Sequence, residues 1–476
     1  MLCCPDCVLG VRPFRVTPAR PAALVASAVA PPAPAGQRWL DVHCHVFNAA
    51  DLPVAEFIDH TRLSGIGAIP AYPALEIIAA LYQRQIMSAV DELRALTGNV
   101  AALPAVSVKA TKFDALYALE GRAPPGVPSA LAGAVRRTQP MLNGTRLVQD
   151  SLNELDPARP AAAPPSDEEH AAPAATAGQR RCVMISFAPF DPWRSIEDDT
   201  MLTRMRTWLE EGQAVGAKIY PPMGFAPFGN GDNDVPNASA ALRDLFQQKR
   251  PGQTVGAALD AELGKLYALC VELDAPVMAH CASSELAEAN NALLPGPQHW
   301  RKALTAFPQL RANLGHFGGI WSFAPGDDSE AQTKSTSLAR RWATDIAVLV
   351  HDFANVYADA AFFDLALVDT VAPGSTTAQA LEFIANLAQQ FPLVPTRLMY
   401  ASDWIMVAQL TAGNDYARRL MQSMAQIFQD AAAQEDFRWR NAARFLGLGA
   451  GDKTRTRLAT FLGADSALLS RFDPGQ

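Results

Sequence analysis

Charged residues are scarce in this 476-residue chain. Asp, Glu, Lys and Arg make up 18% of it, against about a quarter in an ordinary soluble domain. The 40 Lys plus Arg against 48 Asp plus Glu leave a formal net charge of −8. The chain therefore lacks the basic excess that a nucleic-acid or anionic-membrane surface needs. Cysteine is sparse too, and seven scattered residues exclude a disulfide scaffold. Cys3, Cys4 and Cys7 crowd the start of the chain, with no paired Cys or His nearby to complete a metal site. Cys44, Cys182, Cys270 and Cys281 fall singly in apolar segments, as small buried hydrophobes of a reduced protein do. No apolar run approaches the roughly 20 residues of a membrane span. The one signal-like stretch, Ala22 to Ala30, is bounded by Pro18 and Pro21 on one side and Pro31 and Pro32 on the other. Ala28-Val29-Ala30 has the small-residue pattern of an export cleavage site. The expectation is a cytoplasmic protein with a dispensable leader, with export by a cleaved leader as the alternative.

Apolar residues, by contrast, are plentiful. They make up 49% of the chain, enough for a large core and too many for a mainly disordered chain. Dividing the length by about 150 residues per domain gives three domains, but α/β barrels run past about 250 residues as one unit. Two Pro/Ala-rich stretches read as decoration: a tail over residues 1–36 and a surface insertion over 157–177. Residues 74–96 carry apolar side chains at three- and four-residue steps, an amphipathic helix. Beyond residue 180 short apolar runs alternate with helical patterns. Strands are expected at 182–187, 217–220, 276–280, 312–315, 356–358 and 397–401, with helices such as 257–273 and 377–390 between them. Adding 39–46 gives seven strands, and an eighth falls either within 100–108 or near 138–142. Near-continuous apolar strands alternating with helices predict a parallel sheet covered by helices. The fold expected is a (β/α)8 TIM barrel with insertions over residues 37–450, followed by a C-terminal helical extension at 451–476.

The first chemical signal is Asp41-Val42-His43-Cys44-His45 at the end of the first strand. Side chains two apart on a strand share a face, so His43 and His45 project together and can bind one divalent ion. Alone, such a pair is modest evidence. Its force comes from the other polar groups at strand ends: Lys218 in Gly-Ala-Lys-Ile-Tyr, His280 after Pro-Val-Met-Ala, His316 after Ala-Asn-Leu-Gly, and Asp403 after Tyr-Ala-Ser. Catalytic groups of parallel barrels collect at that rim. His60, His170, His299 and His351 do not fall at strand ends and receive no role. Arg194, in Asp-Pro-Trp-Arg, is a candidate for holding a substrate carboxylate, with a salt-bridged loop residue as the alternative.

Taken together, the segments DVHCHVFN (41–48), FDPWR (190–194), GAKIYPPMGFAP (216–227), PVMAHC (276–281), NLGHFGG (313–319), RLMYASDW (397–404) and NAARFLGL (441–448) resemble the amidohydrolase superfamily. The likeness is to its amidohydrolase-related branch, which includes aminocarboxymuconate-semialdehyde decarboxylase. It covers roughly residues 38 to 450. The resemblance implies that His43, His45, His280 and Asp403 bind a divalent metal, zinc first with manganese or iron as alternatives. Asp403 would also take a proton, and His316 would either bind a second metal or act as acid/base. Lys218 matches the lysine that two-metal relatives carry as a carbamate bridge. One ion is favoured, two if Lys218 is carbamylated. The missing Glu three residues after His280 disfavours nucleobase deamination.

The function expected is hydrolysis of a C–N or ester-type bond in a small polar substrate by metal-activated water. The alternatives are non-oxidative decarboxylation of a small carboxylic acid at the same metal, or an inactive barrel serving as a binding protein. No nucleic-acid or membrane partner is expected; a homodimer, common in the branch, is the one assembly the resemblance offers.

Overall fold

The structure, a computed structural model, describes residues 38–44, 105–109, 182–197, 200–232, 246–248, 250–283, 292–320, 330–363, 375–403, 416–425 and 427–475. The tail at 1–36, the helix at 74–96, the insertion at 157–177, and His45, His60 and His170 lie outside these residues.

Eight strands form one parallel sheet in chain order: β1 (Trp39–Cys44), β2 (Ala105–Lys109), β3 (Cys182–Pro189), β4 (Gly216–Ile219), β5 (Val277–His280), β6 (Ala312–Gly315), β7 (Val356–Asp359) and β8 (Leu398–Met399). The sequence left two places open for the eighth strand, and a strand at 105–109 fills the first, pairing with β1 and β3. The helices are α1 (Pro192–Glu197), α2 (Met201–Glu210), α3 (Val255–Glu272), α4 (Trp300–Ala306), α5 (Glu330–Asp352), α6 (Thr376–Gln390), α7 (Tyr416–Met424), α8 (Ala431–Glu435), α9 (Asn441–Leu446) and α10 (Lys453–Leu462). The chain is a (β/α)8 barrel. α3 and α6 start where their sequences stop being extended: the Thr254 and Ser375 hydroxyls accept from the amides of Ala257 and Ala378, satisfying donors that a first helical turn leaves orphaned.

The period of two along each strand separates core from site. Ala217 and Ile219, Val277 and Ala279, Ala312 and Leu314, and Val356 and Ala358 pack with the buried faces of α2, α3, α4, α5 and α6. The intervening residues Lys218, Met278, His280, Asn313, Tyr357 and Asp359 take the other face. There Phe445 of α9 lies against both Phe187 of β3 and Tyr357 of β7. It fills the layer that precedes Asp359 on its strand.

The seam between β8 and β1 is closed by other means than a long ladder. Beyond the strand ends, the Asp403 amide donates to the His43 carbonyl at 2.7 Å. The Ser402 amide and hydroxyl donate to the buried Asp41 carboxyl at 3.1 and 2.5 Å. Nearer the strand starts, a turn of π-helix at Asp436–Arg440 spans the gap. Its Phe437 carbonyl accepts from the Tyr400 amide at 2.9 Å, and Arg438 Nε donates to the Arg38 carbonyl at 3.0 Å. A π-turn leaves carbonyls displaced from the helical ladder, which suits it to this bridging role.

After α9 the chain runs through α10 and a 3-10 segment (Gly463–Phe472). α10 docks on the end of α3: its Lys453, Thr454 and Arg457, with Arg311 from just ahead of β6, donate to the carbonyls of Glu272, Asp274 and Leu273. Cations at a helix C-terminus satisfy its last carbonyls and complement its dipole. No helix among the described residues is long and apolar enough to cross a membrane.

Candidate metal centre

Five of the residues singled out in the sequence meet at the C-terminal ends of the strands, all buried. His43 comes from β1, Lys218 from β4 and His280 from the last position of β5. His316 directly follows β6, and Asp403 lies just past β8. Lys218 Nζ is 3.5 Å and Asp403 Oδ1 is 3.7 Å from His43 Nε2. The His316 ring lies 4.6 Å from those of His43 and His280, centroid to centroid. Tyr220, two residues beyond Lys218, covers His280 at 4.9 Å. Of the other two, His45 lies outside the described residues. Arg194 falls in α1, just beyond β3, with its side chain outside what is described.

Local backbone geometry makes this convergence possible. A Cβ on Gly315 would stand 3.1 Å from the His43 ring and 2.8 Å from the Ala279 carbonyl; glycine lets β6 approach close enough for that ring to fit. His316 and Phe317 (φ 68° and 45°), Phe362 (φ 60°) and Asp403 (φ 52°) all adopt left-handed backbone at or beside the site. Such conformations cost free energy in residues with a Cβ and persist where the surroundings over-determine them.

The electrostatics favour ligand lone pairs. Burial, then the neighbouring positive charges of His316, Lys218 and His43, holds His280 well below the usual imidazole range. Burial and His43 likewise lower His316 to about 4. Both imidazoles therefore favour the neutral form, in which one ring nitrogen keeps its lone pair. Burial alone would raise the Asp359 carboxyl. The contact with the His43 ring, together with the nearby His316 and its amide, instead holds it well below the carboxylate range. Imidazole nitrogens beside carboxylate oxygens in a buried cleft are a donor set that suits a divalent zinc, manganese or iron ion. His43, His316 and Asp359 each offer an atom within 4.8 Å of the others'.

Asp359 was not singled out in the sequence. It ends Asn-Val-Tyr-Ala-Asp, the same apolar-run-then-polar pattern that marks His280 and His316, so the signal was present. Its Oδ2 sits 3.0 Å from His43 Nδ1 and 2.7 Å from Asn313 Nδ2. Its Oδ1 accepts from the amides of His316 (2.8 Å) and Ala361 (3.1 Å). Tyr416 is a second addition. Its hydroxyl lies 2.6 Å from the Ala360 carbonyl and 3.1 Å from that of Ala401, and accepts from the Phe363 amide at 3.2 Å. It ties together the segments that follow β7 and β8.

A family model described as amidohydrolase matches residues 40–448. The chain belongs to the amidohydrolase family. Among solved structures, this amidohydrolase is similar to a zinc-bound amidohydrolase from Burkholderia multivorans, at 13% identity and a TM-score of 0.44, over 86% of this chain and 99% of that one. It is also similar to a probable 2-pyrone-4,6-dicarboxylic acid hydrolase from Acinetobacter baumannii crystallised with citric acid, at 12% identity and a TM-score of 0.40, over 86% and 100% of the two chains. None of the curated proteins compared with the chain matches it.

Proposed function

We propose that this amidohydrolase is a metal-dependent hydrolase that cleaves a C–N or ester-type bond in a small polar substrate. The reading is carried by one observation: Lys218, His43, His280, His316 and Asp403, drawn from five strand ends, face one another in a buried cleft. His43 (through Nε2), His45, His280 and Asp403 would hold one divalent ion, zinc by preference. Such an ion lowers the pKa of a water toward neutrality and polarises a substrate oxygen.

The residues of the chain supply the rest. Asp403 Oδ1 accepts the proton released at the start of the attack, and its place beside His43 Nε2 keeps it at the reacting face. His316, neutral at the working pH, hydrogen-bonds the substrate carbonyl or relays a proton to the leaving group. The buried ammonium of Lys218 and the guanidinium of Arg194 would orient an anionic group of the substrate. Tyr220 lies over the His280 ring and shields that face of it. The burial of Lys218 also meets the condition for a carbamate bridge between two ions, the two-metal form of the same reading.

Decarboxylation of a small carboxylic acid is the second reading, and the Lys218 ammonium beside the His43 edge favours it, since a carboxylate would settle there. The test is metal analysis of the purified full chain, which should find about one or two divalent ions. Chelation should abolish activity and zinc should restore it. A substrate screen that follows hydrolysis and CO2 release in parallel then separates the two reactions. Full activity after complete metal removal would overturn both.

A further inference from the structure

Asp359 is fully buried at the end of β7 and its two oxygens take four hydrogen bonds, each from a group at the candidate metal centre. Its Oδ1 already accepts two backbone amides and its Oδ2 the Asn313 amide group, which places the carboxyl as acceptor and His43 Nδ1 as donor in the 3.0 Å contact. The proton on Nδ1 leaves the lone pair on Nε2, and Nε2 is the nitrogen that faces Asp403 and Lys218. On its other side the same carboxylate accepts the His316 amide, fixing the left-handed turn (φ 68°) that swings the His316 ring to within 4.6 Å of both other histidines.

We propose that Asp359 is the positioning residue of the site: one oxygen selects the His43 tautomer that presents Nε2 to the metal, and the other holds the strained turn that aims His316. This rests on the metal reading given above. It treats Asp359 as an orienting carboxylate and not as a ligand, because all four contacts occupy its oxygens with N–H donors. Carboxylates that orient ligating histidines govern affinity without touching the metal. The Ala361 amide and Asn313 Nδ2 hold the carboxylate itself in place. An asparagine at this position has one acceptor oxygen for two sides. If that oxygen serves the His316 and Ala361 amides, the NH2 faces His43 Nδ1 and forces the opposite tautomer. If it serves His43, the His316 turn loses its acceptor.

The experiment uses the full chain labelled with ¹⁵N-histidine, first metal-free and then titrated with zinc against a competing chelator. In the wild type the His43 ring signal, assigned by its loss in His43→Gln, should show the proton on Nδ1. In Asp359→Asn that signal should change tautomer or the His316 amide should shift. Zinc affinity should fall by about 10- to 100-fold, the range for loss of an orienting partner. A wild-type ring protonated on Nε2 overturns the proposal, and that measurement does not depend on the variant folding. Wild-type tautomer, His316 amide and affinity in Asp359→Asn would also overturn it. So would lost affinity with His43 and His316 unchanged, which would make Asp359 a direct ligand. If the wild type takes up no metal, the metal reading falls, and the tautomer in the metal-free protein alone decides the arrangement around Asp359.

Discussion

Lys218 is 1% exposed, among the largest fully buried side chains described, and lies 3.5 Å from the reacting edge of His43. Lys218→Met keeps the stem and removes the charge. If Lys218 orients the substrate, metal content should hold while KM rises by about tenfold, the effect of losing roughly 1.4 kcal/mol of binding. If it bridges two ions as a carbamate, metal content should drop from two ions per chain to one. Steady-state kinetics and elemental analysis on the same preparation tell these apart. Tyr416→Phe tests the tie between the segments after β7 and β8. It leaves the volume and removes the hydroxyl, and should cost about 1 kcal/mol in urea unfolding, a typical net hydrogen bond. These two residues also show what a sequence reveals. His43, His280, His316 and Asp403 were legible because an imidazole or carboxylate ending an apolar strand is costly to bury and persists where a ligand or partner compensates it. Asp359 works through donors 43 and 316 residues away, and Tyr416 has the apolar spacing of an ordinary core residue. The partners of Tyr416 leave no local pattern, whereas Asp359 ends an apolar run as His280 and His316 do.

At the scale of elements, the strands were readable where four or more apolar residues run together. β8, two residues long, was readable through its neighbours, while β2 was ambiguous because two apolar stretches competed for it. The bridging π-turn left no trace, since its sequence, Asp-Phe-Arg-Trp-Arg, is that of a plain helix. The seam it supports should be sensitive to Ser402→Ala. Burial already lifts the Asp41 carboxyl to about 7, against the bonds from Ser402 and the His43 amide. Removing the hydroxyl leaves a buried acceptor short of a partner, at a cost of about 1–3 kcal/mol, measurable by urea denaturation. Asp473 gives the extension a pH dependence of known sign. The Gly475 amide and Arg455 hold its carboxyl below the ordinary value. Its contribution is thus present above the normal carboxylate pKa and lost as the pH falls through the depressed one. Protection of the Gly463–Phe472 amides, measured relative to their intrinsic exchange rates, should fall on acidification in the wild type, and in Asp473→Asn should be low already at neutral pH.

Across the whole molecule, the eight strands form one sheet, and the candidate site draws its groups from strands at both ends of it. Phe445 is a packing residue between β3 and β7, where it lies against Phe187 and Tyr357. Phe445→Ala should cost about 3–5 kcal/mol, as large-to-small changes in cores do, and lower the thermal midpoint with the remaining metal affinity intact in the folded fraction. The region after residue 450 is best regarded as part of the same unit. It caps α3 through Lys453, Thr454 and Arg457.

The seam has a consequence for the order of events during synthesis. Ser402 and Asp41, whose bonds close the barrel, are 361 residues apart. Asp41 leaves the ribosome long before its partner is made, and the N-terminal histidine pair waits with it. No nascent fragment ending before β8 can assemble the complete donor set. If the centre binds metal as proposed, its full ligand set exists only once Asp403 has been made, and a product terminated before it should hold an ion more weakly than the full chain.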